Sequence, residues 1–330
     1  MNIHTYPSSK DAYSDWNDLI NDDAYWRIDL VDDVTTYVKF EGLNPAGSIK
    51  LKPALRMLQG LEETGALQPG GKVIESSSGN LGIALAMVCA RLGYHFTCVV
   101  DPNTPKDSIN LIKALGANIV LIEQPDANGG YLESRINYIK QQIHLDPSLA
   151  WTNQYASPDN PAAHEHQTAR SIHTAHPDLN YLFVGAGTTG TLMGCGAYFK
   201  KRNLPVKVIG VDVFGSVTFG SEPAKRRIPG LGTSRRPEIC DNDLVDDVIW
   251  VSETATISRC RWFAHQYGLP LGGSSGSVMA GIQQYAPNIP AGSKVVFISP
   301  DRGDKYIDTI YNDDWVQQHF GRHWDEAIIC

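Results

Sequence analysis

Asn44-Pro45-Ala46-Gly47-Ser48-Ile49-Lys50 lies between a predicted strand, Thr35–Phe40, and a predicted helix at residues 53–63. Asn-Pro and Gly-Ser are turn-forming pairs, and Ser48 stands where it can cap the helix that follows. A lysine fixed in such a turn directs its amine to a set place, whereas most lysines near helix starts are solvated surface charges. The stretch by itself favours the surface interpretation, so its meaning depends on the loops further along the chain.

Two later loops share one pattern, a short strand followed by Gly, Ser and Thr residues and then a helix. Glu75-Ser76-Ser77-Ser78-Gly79-Asn80-Leu81-Gly82 follows a strand at residues 72–74, and Gly185-Ala186-Gly187-Thr188-Thr189-Gly190-Thr191 follows one at residues 181–184. Such loops direct backbone N–H groups and the positive end of a helix dipole at one spot, which binds anions. Two of them together with a turn lysine suggest a ligand with two separate anionic groups and a carbonyl.

At these residues the chain resembles the fold-type II pyridoxal-phosphate (PLP) enzymes of the cysteine synthase/cystathionine β-synthase family. The resemblance runs from about residue 37 to residue 315. It is carried by the Asn-Pro-x-Gly-Ser-x-Lys loop, Ser-Gly-Asn at residues 78–80, Gly-Thr-x-Gly-Thr at residues 187–191, and Gly-Gly-Ser-Ser-Gly at residues 272–276.

Within that family the chain is most similar to the N-(2-amino-2-carboxyethyl)-L-glutamate synthases. These enzymes make a precursor of 2,3-diaminopropionate for siderophores and peptide antibiotics. The similarity to this branch is carried by residues 75–87, 97–102, 126–131, 153–156, 215–217 and 300–304.

Strand-like and helix-like patterns alternate from residue 34 onward, which is typical of βαβ units and a parallel sheet. The helix-like patterns include residues 83–91 and 129–143, and residues 153–161 are expected to form a turn-rich crossing. The resemblance implies two three-layer α/β domains with mostly parallel twisted sheets, of the tryptophan synthase β-like type, and PLP in the cleft between them. It places the smaller domain at residues 40–152 and the larger, PLP-binding domain at residues 1–39 and 153–330.

The resemblance also implies roles for the cofactor-binding residues. Lys50 would attach covalently to the cofactor and later act as the general base at Cα, and both tasks need a partly neutral amine, which desolvation favours. Asn80 would hydrogen-bond the ring hydroxyl of PLP, and Ser274 would contact the pyridine nitrogen without holding it protonated. The residues that match the phosphate-binding loop are Gly187, Thr188, Thr189, Gly190 and Thr191.

Substrate recognition divides into two expected sites. Ser77, Ser78, Gly79 and Asn80 match the loop that grips the α-carboxylate of the amino-acid substrate. For a dicarboxylic acceptor, Arg135 and Tyr155 are the candidates for binding its carboxylates, with Arg235 and Arg236 as further possible cations. Each arginine is equally well interpreted as one half of a surface ion pair.

Three functional hypotheses remain open at this point. The first is β-replacement on O-phospho-L-serine by L-glutamate, giving N-(2-amino-2-carboxyethyl)-L-glutamate and phosphate. The second keeps the mechanism with sulfide as the nucleophile, and therefore makes cysteine. The third is a catalytically silent PLP-binding partner or sensor, against which the intact Lys50, Asn80 and Ser274 argue.

Composition bounds the remaining classes of function. The 330 residues carry a formal charge of −8, 42% hydrophobic and 19% charged residues, which is ordinary for a globular protein and unfavourable for nucleic-acid binding. We expect no signal peptide, no membrane span and no metal site, and we expect six free thiols in a reducing cytoplasm. We interpret His164 and His166 as surface histidines, and we expect a homodimer.

Two segments are harder to place. Residues 1–30 are acidic with interspersed aromatic side chains, and we expect an irregular or short helical arm that packs on the body or on a partner subunit. The Leu51-Lys52 pair departs from the family's Asp-Arg after the lysine. Lys52 retains the positive charge without the bidentate geometry of arginine, which leaves its role open.

Overall fold

The computed structural model describes residues 19–126 and 130–321 and contains two separate β-sheets. Its strands are β1 (Tyr25–Ile28), β2 (Thr35–Phe40), β3 (Lys72–Ser76), β4 (His95–Val100), β5 (Asn118–Leu121), β6 (Leu149–Trp151), β7 (Tyr181–Gly185), β8 (Lys207–Val213), β9 (Asp247–Val251) and β10 (Lys294–Ser299). Its α-helices are α1 (Leu51–Glu63), α2 (Asn80–Leu92), α3 (Lys106–Ala114), α4 (Leu132–Leu145), α5 (Asp159–Ala163), α6 (Arg170–Ala175), α7 (Gly190–Lys201), α8 (Glu253–Tyr267), α9 (Gly273–Tyr285) and α10 (Asp313–Phe320).

The larger sheet has the strand order β1-β2-β10-β7-β8-β9, and the smaller has the order β5-β4-β3-β6. Every pairing is parallel except that of β1 with β2. Helices separate consecutive parallel strands, as a crossover connection requires, except between β8 and β9, where the long connection at residues 214–246 contains only a short 3₁₀ turn at Asn242–Leu244. The predicted α/β class with mostly parallel sheets is therefore confirmed.

Burial explains why the central strands are nearly continuous in apolar residues. In β10 every residue after Lys294 is buried, and in β8 every residue after Lys207 is buried. Strands that are covered by helices on both faces have no solvent side to occupy with polar residues. Burial in the core thus determines the apolar sequence of these strands. The loops that matter for function follow the carboxyl ends of the strands.

The N-terminal arm differs in part from the expectation. Tyr25–Ile28 forms β1 on the edge of the larger sheet, where an irregular or short helical segment was expected, and this strand packs on the body of its own chain. Residues 1–18 of the arm lie outside the described residues. Ser48 also does not cap α1. Its hydroxyl is buried without a hydrogen-bond partner, and it is the Ser48 carbonyl that accepts from Leu51 N at 3.4 Å.

Helix boundaries extend beyond several of the predicted ranges. The helix predicted at residues 129–143 is observed as α4, and Gly129 itself lies outside the described residues. The turn-rich crossing expected at residues 153–161 is observed up to Pro158, and the helical run from α5 to α6, which includes a π-helical turn at His164–Ala169, begins at Asp159. The domain boundaries at residues 40 and 152 remain a prediction.

Two further observations concern the chain as a whole. Among the residues the structure describes, no helix has the length and apolar character needed to cross a membrane. Cys89, Cys98, Cys195, Cys240 and Cys260 are free thiols, as expected, and Cys330 lies outside the described residues.

Candidate active site

The turn before α1 is held by the side chain of Asn44. Its amide nitrogen donates to the carbonyls of Glu41 and Ser48, both at 2.8 Å, and its amide oxygen accepts from Ala46 N at 3.0 Å. Asparagine side chains stabilise turns in this way, and Gly47 supplies the positive φ of 64° that the turn requires. Lys50 therefore begins α1 from a fixed position.

The side chain of Lys50 lines a cavity together with most of the other predicted cofactor-binding residues. Its amine lies 3.5 Å from the Thr188 hydroxyl. The cavity is also lined by Ser274 and by residues 187–191. The structure thus brings together the lysine loop, the second Gly/Thr loop and the start of α9.

The loop at residues 187–191 has the properties of an anion site. None of its five backbone N–H groups donates to an acceptor within the described residues. A Cβ on Gly187 would lie 2.8 Å from the Gly230 carbonyl oxygen, and one on Gly190 would lie 2.1 Å from Asn160 Oδ1, so both positions require glycine. Thr189 has a φ of 67°, which is unusual for a β-branched residue and marks strain of the kind found at functional sites.

Electrostatics prepare Lys50 for chemistry. Burial lowers the pKa of its amine from 10.5 to about 8, and the nearby Glu75 carboxylate acts in the opposite direction. Glu75 is itself buried, which raises its pKa, and it accepts hydrogen bonds from Thr152 Oγ1 at 2.6 Å and Gln154 N at 3.1 Å. Roughly a tenth of the Lys50 amine is consequently neutral at pH 7, compared with less than about a thousandth at the ordinary pKa of 10.5.

Ser274 stands in the first turn of α9 and is almost fully buried. A Cβ on Gly230 would lie 3.4 Å from the Ser274 hydroxyl oxygen. The Ser274 hydroxyl makes no hydrogen bond to any described residue. A buried hydroxyl without a protein partner is available to a ligand in the cavity.

The predicted substrate loop does not line this cavity, but it approaches it from the smaller sheet. Ser77 Oγ accepts from Gly82 N at 2.9 Å and so caps α2, which commits that hydroxyl to the loop itself. Asn80 Nδ2 donates to Asp301 Oδ2 at 2.7 Å, and Lys305 Nζ donates to Asn80 Oδ1 at 2.5 Å. Asp301 directly follows Pro300, which lines the cavity.

The two acceptor-site candidates lie close to each other. Arg135 is buried on α4 with Nη1 3.4 Å from Asp101 Oδ2, and its Nε and Nη1 make no hydrogen bond. Burial raises the pKa of the Tyr155 hydroxyl, while Arg135, Arg226 and Arg235 oppose that shift and must therefore be near it. Three guanidinium groups and the Glu75 carboxylate therefore lie within electrostatic range of the hydroxyl.

Arg235 and Arg236 are engaged on the protein surface. Arg235 pairs with Glu238 and lies 3.6 Å from Glu133. Arg236 donates to the Thr218 carbonyl and to Asn242 Oδ1, both at 3.0 Å. Of these two, Arg236 is the one whose guanidinium is largely committed to the fold.

Sequence reasoning missed three contributors. His164 is fully buried, so its interpretation as a surface histidine is wrong. Lys52 is also fully buried and pairs with Glu41 and Asp22, a role that local sequence left open. Asp301 lay in a recognised stretch without an assigned role. The departure from Asp-Arg at residues 51–52 was the one signal in the sequence for Lys52. Each of the three has one partner that is distant in the chain, namely Thr191 for His164, Asp22 for Lys52 and Asn80 for Asp301.

Comparison with known proteins gives three findings. Residues 28–301 match the family described as "Pyridoxal-phosphate dependent enzyme". The chain is 40% identical over 282 residues to the N-(2-amino-2-carboxyethyl)-L-glutamate synthase of Ralstonia nicotianae, with 85% of this chain and 83% of that protein covered.

Solved structures are similar over almost the whole chain. The crystal structure of O-ureido-L-serine synthase matches with a TM-score of 0.84 and 28% identity, covering 96% of this chain and 98% of that one. The crystal structure of O-acetylserine dependent cystathionine beta-synthase from Helicobacter pylori matches with a TM-score of 0.84 and 29% identity, covering 91% and 99%.

Proposed function

The chain belongs to the pyridoxal-phosphate dependent enzyme family, and from this premise we propose that its β-replacement reaction joins O-phospho-L-serine to L-glutamate. The products are N-(2-amino-2-carboxyethyl)-L-glutamate and phosphate. The observation that carries the proposal is the half-buried Lys50 amine facing a loop whose five backbone N–H groups donate to no acceptor within the described residues.

The residues of the cavity fit the cofactor. We propose that Lys50 holds PLP covalently, that residues 187–191 bind its phosphate, that Ser274 contacts the pyridine nitrogen and that Asn80 contacts the ring hydroxyl. The unpaired N–H groups and the unpartnered Ser274 hydroxyl support these assignments. PLP supplies electron withdrawal from the Cα of a bound amino acid, which makes the Cα proton acidic.

Lys50 then moves that proton. With a pKa of about 8, its amine accepts the Cα proton without a large energetic cost and returns it at the end of the cycle. Loss of phosphate from Cβ gives an electrophilic carbon to which the incoming nucleophile bonds. Residues 77–80 at the start of α2 bind the α-carboxylate, because the helix N-terminus presents backbone N–H groups to an anion.

Recognition of glutamate rests on Arg135 and Tyr155. A dicarboxylic acceptor needs fixed donors, since burying an unpaired charge costs several kcal/mol. Arg135 has buried N–H groups without hydrogen-bond partners, and Tyr155 stands among three arginines. The name of the Ralstonia nicotianae relative, which is an L-glutamate derivative synthase, supports the same acceptor.

The second candidate function is cysteine synthesis with sulfide, which the similarity to an O-acetylserine dependent enzyme favours. Sulfide needs no carboxylate clamp, so it gives no role to the Nε and Nη1 groups of Arg135, which make no hydrogen bond within the described residues. A silent PLP-binding protein would also need a neutral Lys50 amine for attachment, so the pKa of Lys50 does not distinguish it. The named synthase relative is what argues against a silent role.

Product analysis distinguishes these functions. Enzyme, PLP and O-phospho-L-serine are incubated in parallel with L-glutamate, sulfide or L-cysteine, and the products are identified by mass spectrometry. We expect the glutamate adduct to form fastest. Cysteine as the fastest product would replace the proposal by the second function, and no product from any acceptor would favour the third.

We also propose that the enzyme acts in the cytoplasm and as a homodimer. The free thiols of Cys89, Cys98, Cys195, Cys240 and Cys260 agree with a reducing cytoplasm, and the homodimer is what the resemblance to the family implies.

A further inference from the structure

His164 lies in the π-helical turn His164–Ala169 and has no exposed surface. Both of its ring nitrogens have partners: Nδ1 is 3.1 Å from Thr168 Oγ1, and Nε2 is 3.3 Å from Thr191 Oγ1. Thr191 belongs to the loop that lines the cavity. The imidazole therefore connects the candidate phosphate loop to residues behind it.

The connection continues to the residue whose role was open in the sequence. Lys52 Nζ donates to Thr168 Oγ1 at 3.2 Å. The result is a chain of contacts, Lys52 to Thr168 to His164 to Thr191, in which the first three side chains are fully buried. Short π-helical segments occur mostly at functional sites.

Close packing of α7 makes the chain of contacts possible. A Cβ on Gly194 would lie 2.7 Å from His164 Cβ and 2.3 Å from the Pro161 carbonyl oxygen, so only glycine allows this approach. Gly194 is three residues after Thr191 and so lies on the same face of α7. The π-helical turn thus brings the imidazole beside the loop.

Hydrogen-bond chemistry fixes the direction of the chain. An ammonium group has only donors, so Thr168 Oγ1 must accept from Lys52. Within the described residues the Thr168 hydroxyl has one other partner, His164 Nδ1, to which it must donate its own proton. His164 then carries its proton on Nε2 and donates it to Thr191 Oγ1.

We infer that His164 is a positioning residue which, driven by Lys52 through Thr168, holds the Thr191 hydroxyl with its proton directed at the cofactor phosphate. Because Thr191 Oγ1 already accepts from His164, its proton is the group left for a ligand. Burial and the two lysine charges lower the pKa of His164 well below its usual range, which agrees with a neutral ring.

The test compares Thr168→Val with Thr168→Ser in the full-length protein. Valine has the shape of threonine but no hydroxyl, so it interrupts the chain, whereas serine preserves it. Apoprotein is titrated with PLP and, separately, with pyridoxal, which has no phosphate. We expect Thr168→Val to raise the apparent Kd for PLP by about tenfold and to leave that for pyridoxal unchanged, and Thr168→Ser to behave as wild type.

Phosphorus NMR of bound PLP provides a second measurement. The resonance should move in Thr168→Val and stay in place in Thr168→Ser. If Thr168→Val does not fold, His164→Gln, whose amide reproduces both contacts, is compared with His164→Met, which reproduces neither. Equal weakening for PLP and pyridoxal, or no weakening for PLP, would overturn the inference, and neither result depends on which acceptor the enzyme uses.

Discussion

Lys50 is the residue whose protonation governs cofactor attachment. Only the neutral amine bonds to the aldehyde of PLP, and burial sets the pKa of Lys50 at about 8. The rate of attachment to apoprotein should therefore rise with pH and level off above about pH 8, and not continue to rise towards the ordinary lysine value. The measurement is the initial growth of the visible absorption of bound PLP between neutral and alkaline pH.

Glu75 provides the matched variant for this pH profile. Its charge raises the pKa of Lys50, so Glu75→Gln should move the midpoint to lower pH. Lys50→Ala should show no covalent attachment at any pH. A wild-type midpoint near the ordinary value of 10.5 would mean that the amine is not desolvated.

Arg135 is the residue expected to separate acceptor binding from donor chemistry. If its guanidinium binds a glutamate carboxylate, Arg135→Ala should leave the release of phosphate from O-phospho-L-serine nearly intact. The glutamate-dependent step should fall by about 10²-fold, which corresponds to roughly 2.7 kcal/mol. Stopped-flow spectra together with phosphate release follow the two steps separately.

Arg236→Ala is the control for Arg135, because the Arg236 guanidinium is bonded to Thr218 and Asn242. It should change neither step much, and sulfide should still react with the Arg135→Ala enzyme. If Arg135→Ala loses phosphate release and retains its response to glutamate, Arg135 binds the donor substrate and the assignment is wrong.

Sequence patterns identified the residues whose surroundings are local. Lys50, the loop at residues 187–191 and Ser274 each sit in a turn or at a helix start that adjacent residues define, and the structure brings all of them to one cavity. His164 and Lys52 were not assigned because each depends on one partner far away in the chain, Thr191 and Asp22 respectively. The neighbours Glu165 and His166 suggest a polar surface segment, whereas in the folded chain α7 covers the imidazole of His164.

At the scale of elements, α1 is anchored through Lys52. The side chains of Lys39, Lys52 and Glu41 are at most 1% exposed, and they form one ion cluster with Asp22 of the N-terminal arm. The two positive and two negative charges balance. Lys52→Met should destabilise the protein by about 3 kcal/mol, because it leaves a buried carboxylate in excess. Urea unfolding at neutral pH measures the change.

Two further variants interpret that result. Lys52→Met combined with Glu41→Gln restores the balance of charge, so the double variant should be more stable than Lys52→Met alone. Lys72→Met removes an exposed pair with Asp146 and should cost less than about 1 kcal/mol. Equal losses for Lys52→Met and Lys72→Met would show that burial of the cluster contributes nothing.

Elements with a strong period were predictable and short ones were not. The predicted strand at Thr35–Phe40 has the observed bounds, and α2 begins three residues before its predicted start. β1 and β6 have four and three residues, too few for a pattern, and each is stabilised by a neighbouring strand. The helical run from α5 to α6 has Pro158 just before its first residue, Pro161 inside its first turn and a π-helical turn in the middle. These three features obscure the helical period.

At the scale of the whole molecule, we predict a homodimer. The aromatic N-terminal arm was one reason for this expectation, but Trp26 packs on Phe40, Phe263 and Tyr267 of its own chain. The prediction consequently rests on the family. Sedimentation at micromolar concentration should give twice the mass of the chain, and a single monomeric species would contradict it.

The two sheets are also joined across the cleft, where Asn80 at the start of α2 contacts the segment after β10. A carboxylate only accepts and an ammonium only donates, so Asp301 and Lys305 fix which way the Asn80 amide faces. Asp301 is buried and is held further by Tyr306 at 2.9 Å, whereas Lys305 is exposed. The orientation of Asn80 should therefore depend mainly on Asp301.

Asp301→Asn tests this dependence with little risk to folding. Burial raises the pKa of the Asp301 carboxyl, so the charge is costly to the fold and an uncharged isostere should be tolerated. Asparagine can present either end of its amide to Asn80, which removes the constraint on orientation. We expect kcat/KM for the donor to fall by about tenfold, equivalent to roughly 1.4 kcal/mol, with the unfolding midpoint almost unchanged. Lys305→Met should lower kcat/KM for the donor less than Asp301→Asn does, since an exposed contact contributes little. A larger effect of Lys305→Met on kcat/KM would show that Lys305, and not Asp301, controls the orientation of Asn80.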